Sequence, residues 1–175
     1  GRLHIVAIAM LGTFTFGWLF SGRHLWALAL VCGLDWFLVN LLNRVVDLPE
    51  DRANGIAGTG FVGAHRRAII VVGFGTLAAS LVAVHLVMPW LLPLRLGYHL
   101  LGFAYNWPLF GGRRIKQLYF WKNTASAVGF LITVFGYPLA CAGHPLLGWA
   151  GVACAAAFFF LFELSYLALF GWHRR

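Results

Sequence analysis

Long apolar segments separated by short polar loops dominate the sequence. Of the 175 residues, 61% are hydrophobic and only 10% are charged, whereas charged residues make up about a quarter of a soluble protein. A helix needs about 20 mostly apolar residues to cross a bilayer. We therefore predict an all-α polytopic membrane bundle, a single transmembrane domain over 1–175. The six predicted spans are 3–20, 24–43, 68–88, 90–104, 119–139 and 146–170.

The basic residues predict how the bundle is oriented. In a soluble protein a net charge of +8 would indicate a nucleic-acid ligand, but in a membrane protein Lys and Arg sort between loops. With six spans, all but two of the 13 Lys and Arg residues fall on one side, the exceptions being Arg23 and Arg95. We expect that basic side to face the cytoplasm, and we expect no nucleic-acid partner.

A polar stripe interrupts the second apolar segment where it reaches the basic side. Asn40, Asn43, Asp47 and Asp51 stand three or four residues apart, a spacing that places side chains on one helix face. Mg²⁺ prefers oxygen ligands and often uses one or two carboxylates together with substrate phosphates. The alternative is a solvated loop whose polar residues only end a helix. Pro49 predicts a kink between the two carboxylates.

A second polar segment lies on the same side after the fourth span. Tyr105 is followed by a Gly-Gly turn and by the cations Arg113, Arg114, Lys116 and Lys122. Arg binds phosphate bidentately and Lys binds it as a point charge. The alternative is that these cations only set topology and that the aromatic residues form an interfacial belt. Together, the acidic and basic segments indicate a diphosphate site.

The order Asn43-x3-Asp47-x3-Asp51, then Tyr105-x2-Pro108 and Arg114-x-Lys116, resembles the UbiA superfamily of intramembrane prenyltransferases. The resemblance implies a bundle of about nine spans that transfers an isoprenyl group from a Mg²⁺-bound isoprenyl diphosphate to an aromatic or other lipophilic acceptor. The prenyl tail would lie in a channel open to membrane lipid. The resemblance also implies roles for individual residues: Asn43, Asp47 and Asp51 as metal ligands, Asp47, Asp51 and Lys116 as catalytic residues, and Asn43, Arg52, Asn54, Tyr105, Arg113, Arg114 and Lys122 as substrate-binding residues.

The chain departs from that family after the sixth span, where a second Asp-rich motif is expected. Asp35 lies eight residues before Asn43, and Glu163 lies eight before Gly171, so Arg175 stands where the repeat has Asp47. We expect either that the chain is a piece of a longer protein, incomplete at both ends, or that the second motif is lost. A catalytically inactive scaffold or lipid-binding subunit of the same fold is the alternative function.

Ionisable residues inside the predicted spans can be interpreted as functional or as structural residues. Asp35 is a functional candidate by its position in the membrane, either touching the acceptor or hydrogen-bonding a neighbouring helix, and it alone would support a small transporter. His85 and His99 lack a His or Glu four residues away and are interpreted as packing or interfacial residues.

Overall fold

The computed structural model describes residues 3–108, 112 and 114–172, and every regular element within them is helical. The helices are α1 (Leu3–Ser21), α2 (Trp26–Val46), α3 (Leu48–Ala53), α4 (Thr59–Ala64), α5 (Arg66–Val87), α6 (Leu92–Asn106), α7 (Tyr119–Phe130), α8 (Tyr137–Ala142) and α9 (Gly148–Trp172). Short 3₁₀ turns precede α6 and α7, at Pro89–Leu91 and Ile115–Gln117. The predicted all-α class is confirmed.

Five helices in the described residues are long and apolar enough to cross a membrane. They are Leu3–Ser21, Trp26–Val46, Arg66–Val87, Trp121–Ala142 and Gly148–Ser165. The remaining predicted span forms α6, which has only 15 residues. At 1.5 Å per residue it extends about 22 Å, less than the roughly 30 Å of a hydrocarbon core. These five helices indicate a multi-pass membrane protein. The count of six membrane spans stays a prediction.

Short α6 runs parallel to α2. Near the middle of α6, the rings of Tyr98 and Trp36 lie 5.4 Å apart. One turn later, a Cβ added to Gly102 would meet the side chain of Val39 at 2.9 Å, so the glycine permits close helix packing. Because the contacts advance together along both helices, α6 returns the chain to the end where α2 terminates. That return brings the two polar segments to one end of the bundle.

A π-helical segment, Leu131–Gly136, joins α7 to α8. Pro138 in the first turn of α8 has no N–H to offer the carbonyl of Val134, and wider π turns relieve such conflicts. The segment buries Thr133, whose Oγ1 accepts a 3.0 Å hydrogen bond from Nε1 of Trp36. This bond fixes the Trp36 indole against the middle of the bundle.

Asp35 is the centre of a buried polar network. Both Asp35 and Arg95 are fully buried, with Arg95 Nε and Nη2 donating to the carboxylate over 2.9 and 2.5 Å. Tyr137 donates a 2.8 Å hydrogen bond to it, and His99 Nε2 lies 3.0 Å from it. Arg95 also donates to the carbonyl of Ser80. The network ties α2, α5, α6 and α8 together.

This network corrects one expectation and decides two others. Arg95 was predicted to be a loop charge on the side opposite the cytoplasm, which is wrong, since α2 supplies the carboxylate that lets it lie inside the bundle. For Asp35, the alternative of hydrogen bonds to neighbouring helices holds. His99 is buried, as a packing residue would be, but it has an acidic partner that no spacing within its own helix could reveal.

Candidate functional site

The polar end of α2 is shaped by a break in the helix at Asp47. Asp47 follows the last residue of α2 and precedes α3, in which Pro49 occupies the first turn. The predicted kink is therefore present, and Asp51 lies on α3 rather than on the stripe of α2. Asn43 and Asp47 are buried, with 3% and 4% of their surface exposed.

Two cations from the loop after α6 bind Asp47. Arg114 Nη1 donates to Asp47 Oδ1 over 2.9 Å, and Lys116 Nζ donates to the same oxygen over 2.5 Å. Both cations also reach Glu50 Oε2, at 3.4 and 3.0 Å. The two predicted polar segments are thus in direct contact through four charged side chains.

Glu50 is the exposed member of this cluster, with 53% of its side chain accessible. The hydrogen bond and charge of Lys116, with a further contribution from Arg114, hold the pKa of the Glu50 carboxyl below its usual range. Glu50 is therefore ionised at neutral pH and balances part of the positive charge of the loop.

A cavity of about 500 Å³ opens beside this cluster, between α1, α2, α6 and α7. Its polar lining residues are Asn40, Asn43, Glu50, Tyr105, Asn106, Lys116, Gln117, Lys122 and Ser126. Its other lining residues are Ile5, Trp36, Val39, Tyr98, Leu101, Gly102, Ala125 and Gly129. The cavity is therefore amphipathic, with most of its charge near the break at Asp47.

Three buried polar atoms that belong to lining residues find no hydrogen-bond partner among the described residues. They are Oδ1 of Asn43, Oδ1 of Asn106 and the hydroxyl of Tyr98. The amide of Asn106 is oriented by its 2.9 Å hydrogen bond to the carbonyl of Gly102, so its oxygen faces away from that bond. Buried polar groups are usually paired, and an unpaired one calls for an explanation such as a bound water or ion.

The predicted site residues divide into two sets. Asn43, Tyr105, Lys116 and Lys122 line the cavity, and Asp47 and Arg114 adjoin it through Lys116 and Glu50. A second set, absent from the lining, is Asp51, Arg52 and Asn54.

Each residue of the second set has another environment. Asp51 pairs with Arg44 at 3.2 Å, and the guanidinium of Arg52 lies against Gly63, where a Cβ would collide with it. Asn54 is exposed at the end of α3. That Asp47 and Asp51 share one metal ion therefore stays a prediction. Among the described residues, no group of three or more His, Cys, Asp or Glu side chains is arranged to hold a metal.

Some expectations fall outside the described part of the chain. Arg113 and Arg175 lie outside the described residues. Gly171 belongs to α9, but its environment is not described. Sequence reasoning missed Glu50, Asn106 and Tyr98 as cavity residues. Glu50 stands between two predicted metal ligands and Asn106 directly follows Tyr105. Their position beside predicted site residues was the only sequence feature that could have indicated them.

Comparison of the chain with protein-family models, with curated proteins and with solved structures found no match.

Proposed function

We propose that this protein is an intramembrane prenyltransferase of the UbiA type. It would move an isoprenyl group from an isoprenyl diphosphate to a lipophilic acceptor, an aromatic quinone precursor by the resemblance. The observation that carries the proposal is the amphipathic cavity. Its end beside Asp47, which we call the mouth, is lined by Lys116 and Lys122 and adjoins an apolar interior. An isoprenyl diphosphate has the same distribution of charge and apolar chain.

The diphosphate would be bound at the mouth. Lys116 and Lys122 line it, and Arg114 is held beside it by Asp47. Charge-assisted hydrogen bonds to phosphate oxygens are about twice as strong as neutral ones. The same cations would stabilise the negative charge that grows on the departing diphosphate.

Two side chains offer oxygen atoms of the kind that Mg²⁺ prefers. Asn43 Oδ1 is buried and unpaired among the described residues, and the carboxylate of Asp47 is one helical turn away, so both offer the oxygen ligands that Mg²⁺ prefers. Asp51, on α3, is the proposed third ligand. When bound, the ion would neutralise charge on the diphosphate and orient it. Lys116 and Arg114, which neutralise Asp47 now, would then be available to the phosphate oxygens.

The cations at the mouth would assist cleavage of the bond between the prenyl group and the diphosphate. The bond between the first prenyl carbon and the diphosphate oxygen breaks, with its electron pair leaving on the diphosphate that the cations hold. A nucleophilic carbon of the acceptor bonds to the prenyl carbon and then loses a proton to the departed diphosphate. The apolar lining of Val39, Leu101 and Ala125 excludes water, which would otherwise capture the prenyl group.

The test is Mg²⁺-dependent binding of geranyl S-thiolodiphosphate, a non-reacting diphosphate analogue, to the purified protein in detergent. We expect Lys116→Ala to weaken this binding by at least tenfold, since it removes a charge-assisted bond. Arg67→Ala, which removes an exposed charge from the same end of the bundle, is the matched control and should bind as the wild type does. Equal affinity in both variants would contradict the proposed mouth.

An inactive scaffold or lipid-binding subunit is the second candidate. The observation that favours it is that Arg114 and Lys116 already bind Asp47. Diphosphate binding that is independent of Mg²⁺, without product in the presence of any aromatic acceptor, would support it. We do not propose the transporter interpretation, because it rests on Asp35, which is bonded to Arg95 and does not line the cavity.

A further inference from the structure

The cavity ends at a defined depth on each of three helices. On α2 its lining residues run from Asn43 to Trp36, and on α6 from Asn106 to Tyr98. On α7, which enters the bundle from the opposite direction, they run from Lys122 to Gly129. In each helix the lining residue nearest the Asp47 end is polar, and the lining residue farthest from that end is aromatic or a glycine.

The three deepest residues meet and close the cavity. The rings of Trp36 and Tyr98 are 5.4 Å apart, and a Cβ on Gly129 would contact the Tyr98 ring at 3.7 Å. The Trp36 ring also packs on Phe130 at 4.3 Å, and its Nε1 is bonded to Thr133. Tyr98, with 3% of its surface exposed, is followed along α6 by His99 of the buried Asp35 network. We name Trp36, Tyr98 and Gly129 the cavity floor.

The distance from mouth to floor is short. Seven or eight residues separate the two levels on these helices, which corresponds to about 10–12 Å of helix rise. An extended carbon chain advances about 1.25 Å per bond, given single bonds of about 1.5 Å, so one isoprene unit takes about 5 Å. The depth therefore accommodates about two isoprene units below a diphosphate held at the mouth.

We propose that this cavity departs from the lipid-open channel that the resemblance implies, and that its floor of Trp36, Tyr98 and Gly129 sets the length of the prenyl chain and selects a geranyl-sized donor over longer ones. This inference rests on the proposed function, and it adds the chain length of the substrate. Tyr98 and Gly129 are the specificity-determining positions, because they can be changed in opposite directions. Removing the Tyr98 ring deepens the cavity, while a side chain on Gly129 fills it.

The experiment measures dissociation constants of the geranyl, farnesyl and geranylgeranyl S-thiolodiphosphates with the full chain and Mg²⁺. The wild type should bind the geranyl analogue at least as tightly as the longer two. Tyr98→Ala should shift the farnesyl-to-geranyl affinity ratio in favour of farnesyl by about tenfold or more, because the added isoprene unit becomes buried. Tyr98→Phe keeps the ring and should leave the ratio unchanged.

Gly129→Val tests the floor without removing any packed side chain, since a Cβ there makes only ordinary contacts. It should weaken the geranyl analogue more than the dimethylallyl analogue. Affinity that rises steadily with chain length, with ratios the same in Tyr98→Ala and Gly129→Val as in the wild type, would overturn the length selection while leaving the proposed function intact. Absence of Mg²⁺-dependent binding by every analogue would overturn both.

Discussion

Replacing Asp35 with Asn tests the architecture that supports the cavity. The substitution keeps the shape of the side chain but removes the charge that compensates Arg95, and both side chains are fully buried. Removing one partner of a buried ion pair costs about 3–5 kcal/mol, because the other charge stays buried without compensation. Asp35 also accepts hydrogen bonds from Tyr137, so we expect the loss to lie in the upper part of that range.

The assay is reversible unfolding in mixed detergent micelles, with the free energy of unfolding extrapolated to zero denaturing detergent. The double variant Asp35→Leu with Arg95→Met is the decisive comparison. It should be less destabilised than Asp35→Leu alone, because it leaves no uncompensated charge. An Asp35→Asn protein within 1 kcal/mol of the wild type, or a double variant as unstable as the sum of the single ones, would refute the reasoning.

Three further predictions concern orientation, pH and an unpaired hydroxyl. In a background without native cysteines, Asn54→Cys should be labelled from the cytoplasmic side and His144→Cys from the other; the reverse pattern would overturn the orientation. Because the pKa of Glu50 is lowered from an ordinary value near 4.5, its pairing with Lys116 stabilises the fold above that pH and is lost as pH falls through the lowered value. Glu50→Gln should therefore reduce the free energy of unfolding at pH 7 but not at strongly acidic pH, and an equal effect at both would contradict this. Tyr98→Phe should leave that free energy unchanged or raise it, since it removes a buried hydroxyl with no partner among the described residues; a loss above 1 kcal/mol would count against it.

The sequence predicts the helices well because long apolar segments have few alternatives in a bilayer. It also places the acidic and basic segments at one end of the bundle, where Asp47 meets Lys116. The kink at Pro49 follows from the missing N–H of proline. These features depend on local pattern and on the order of the segments.

Contacts between distant helices could not be predicted from the same patterns. The interpretation of Arg95 as a loop charge failed because its partner Asp35 lies 60 positions away. The stripe of α2, extended without a break, would carry Asp51 to the same face as Asp47. The chain instead turns into α3 after Asp47, which brings Glu50 to the cavity and leaves Asp51 with Arg44. The cavity floor likewise depends on how Trp36 and Tyr98 pack, which spacing does not specify.

The most direct test of the proposed function is a crystal structure of the protein with Mg²⁺ and geranyl S-thiolodiphosphate. The diphosphate oxygens should lie within hydrogen-bond distance of Lys116 and Lys122, and the ion should lie on Asn43, Asp47 and Asp51. The prenyl chain should extend between α2, α6 and α7 and end against Tyr98. A structure in which the cavity holds no ligand while Lys116 and Arg114 still bind Asp47, at saturating ligand and Mg²⁺, would contradict the account.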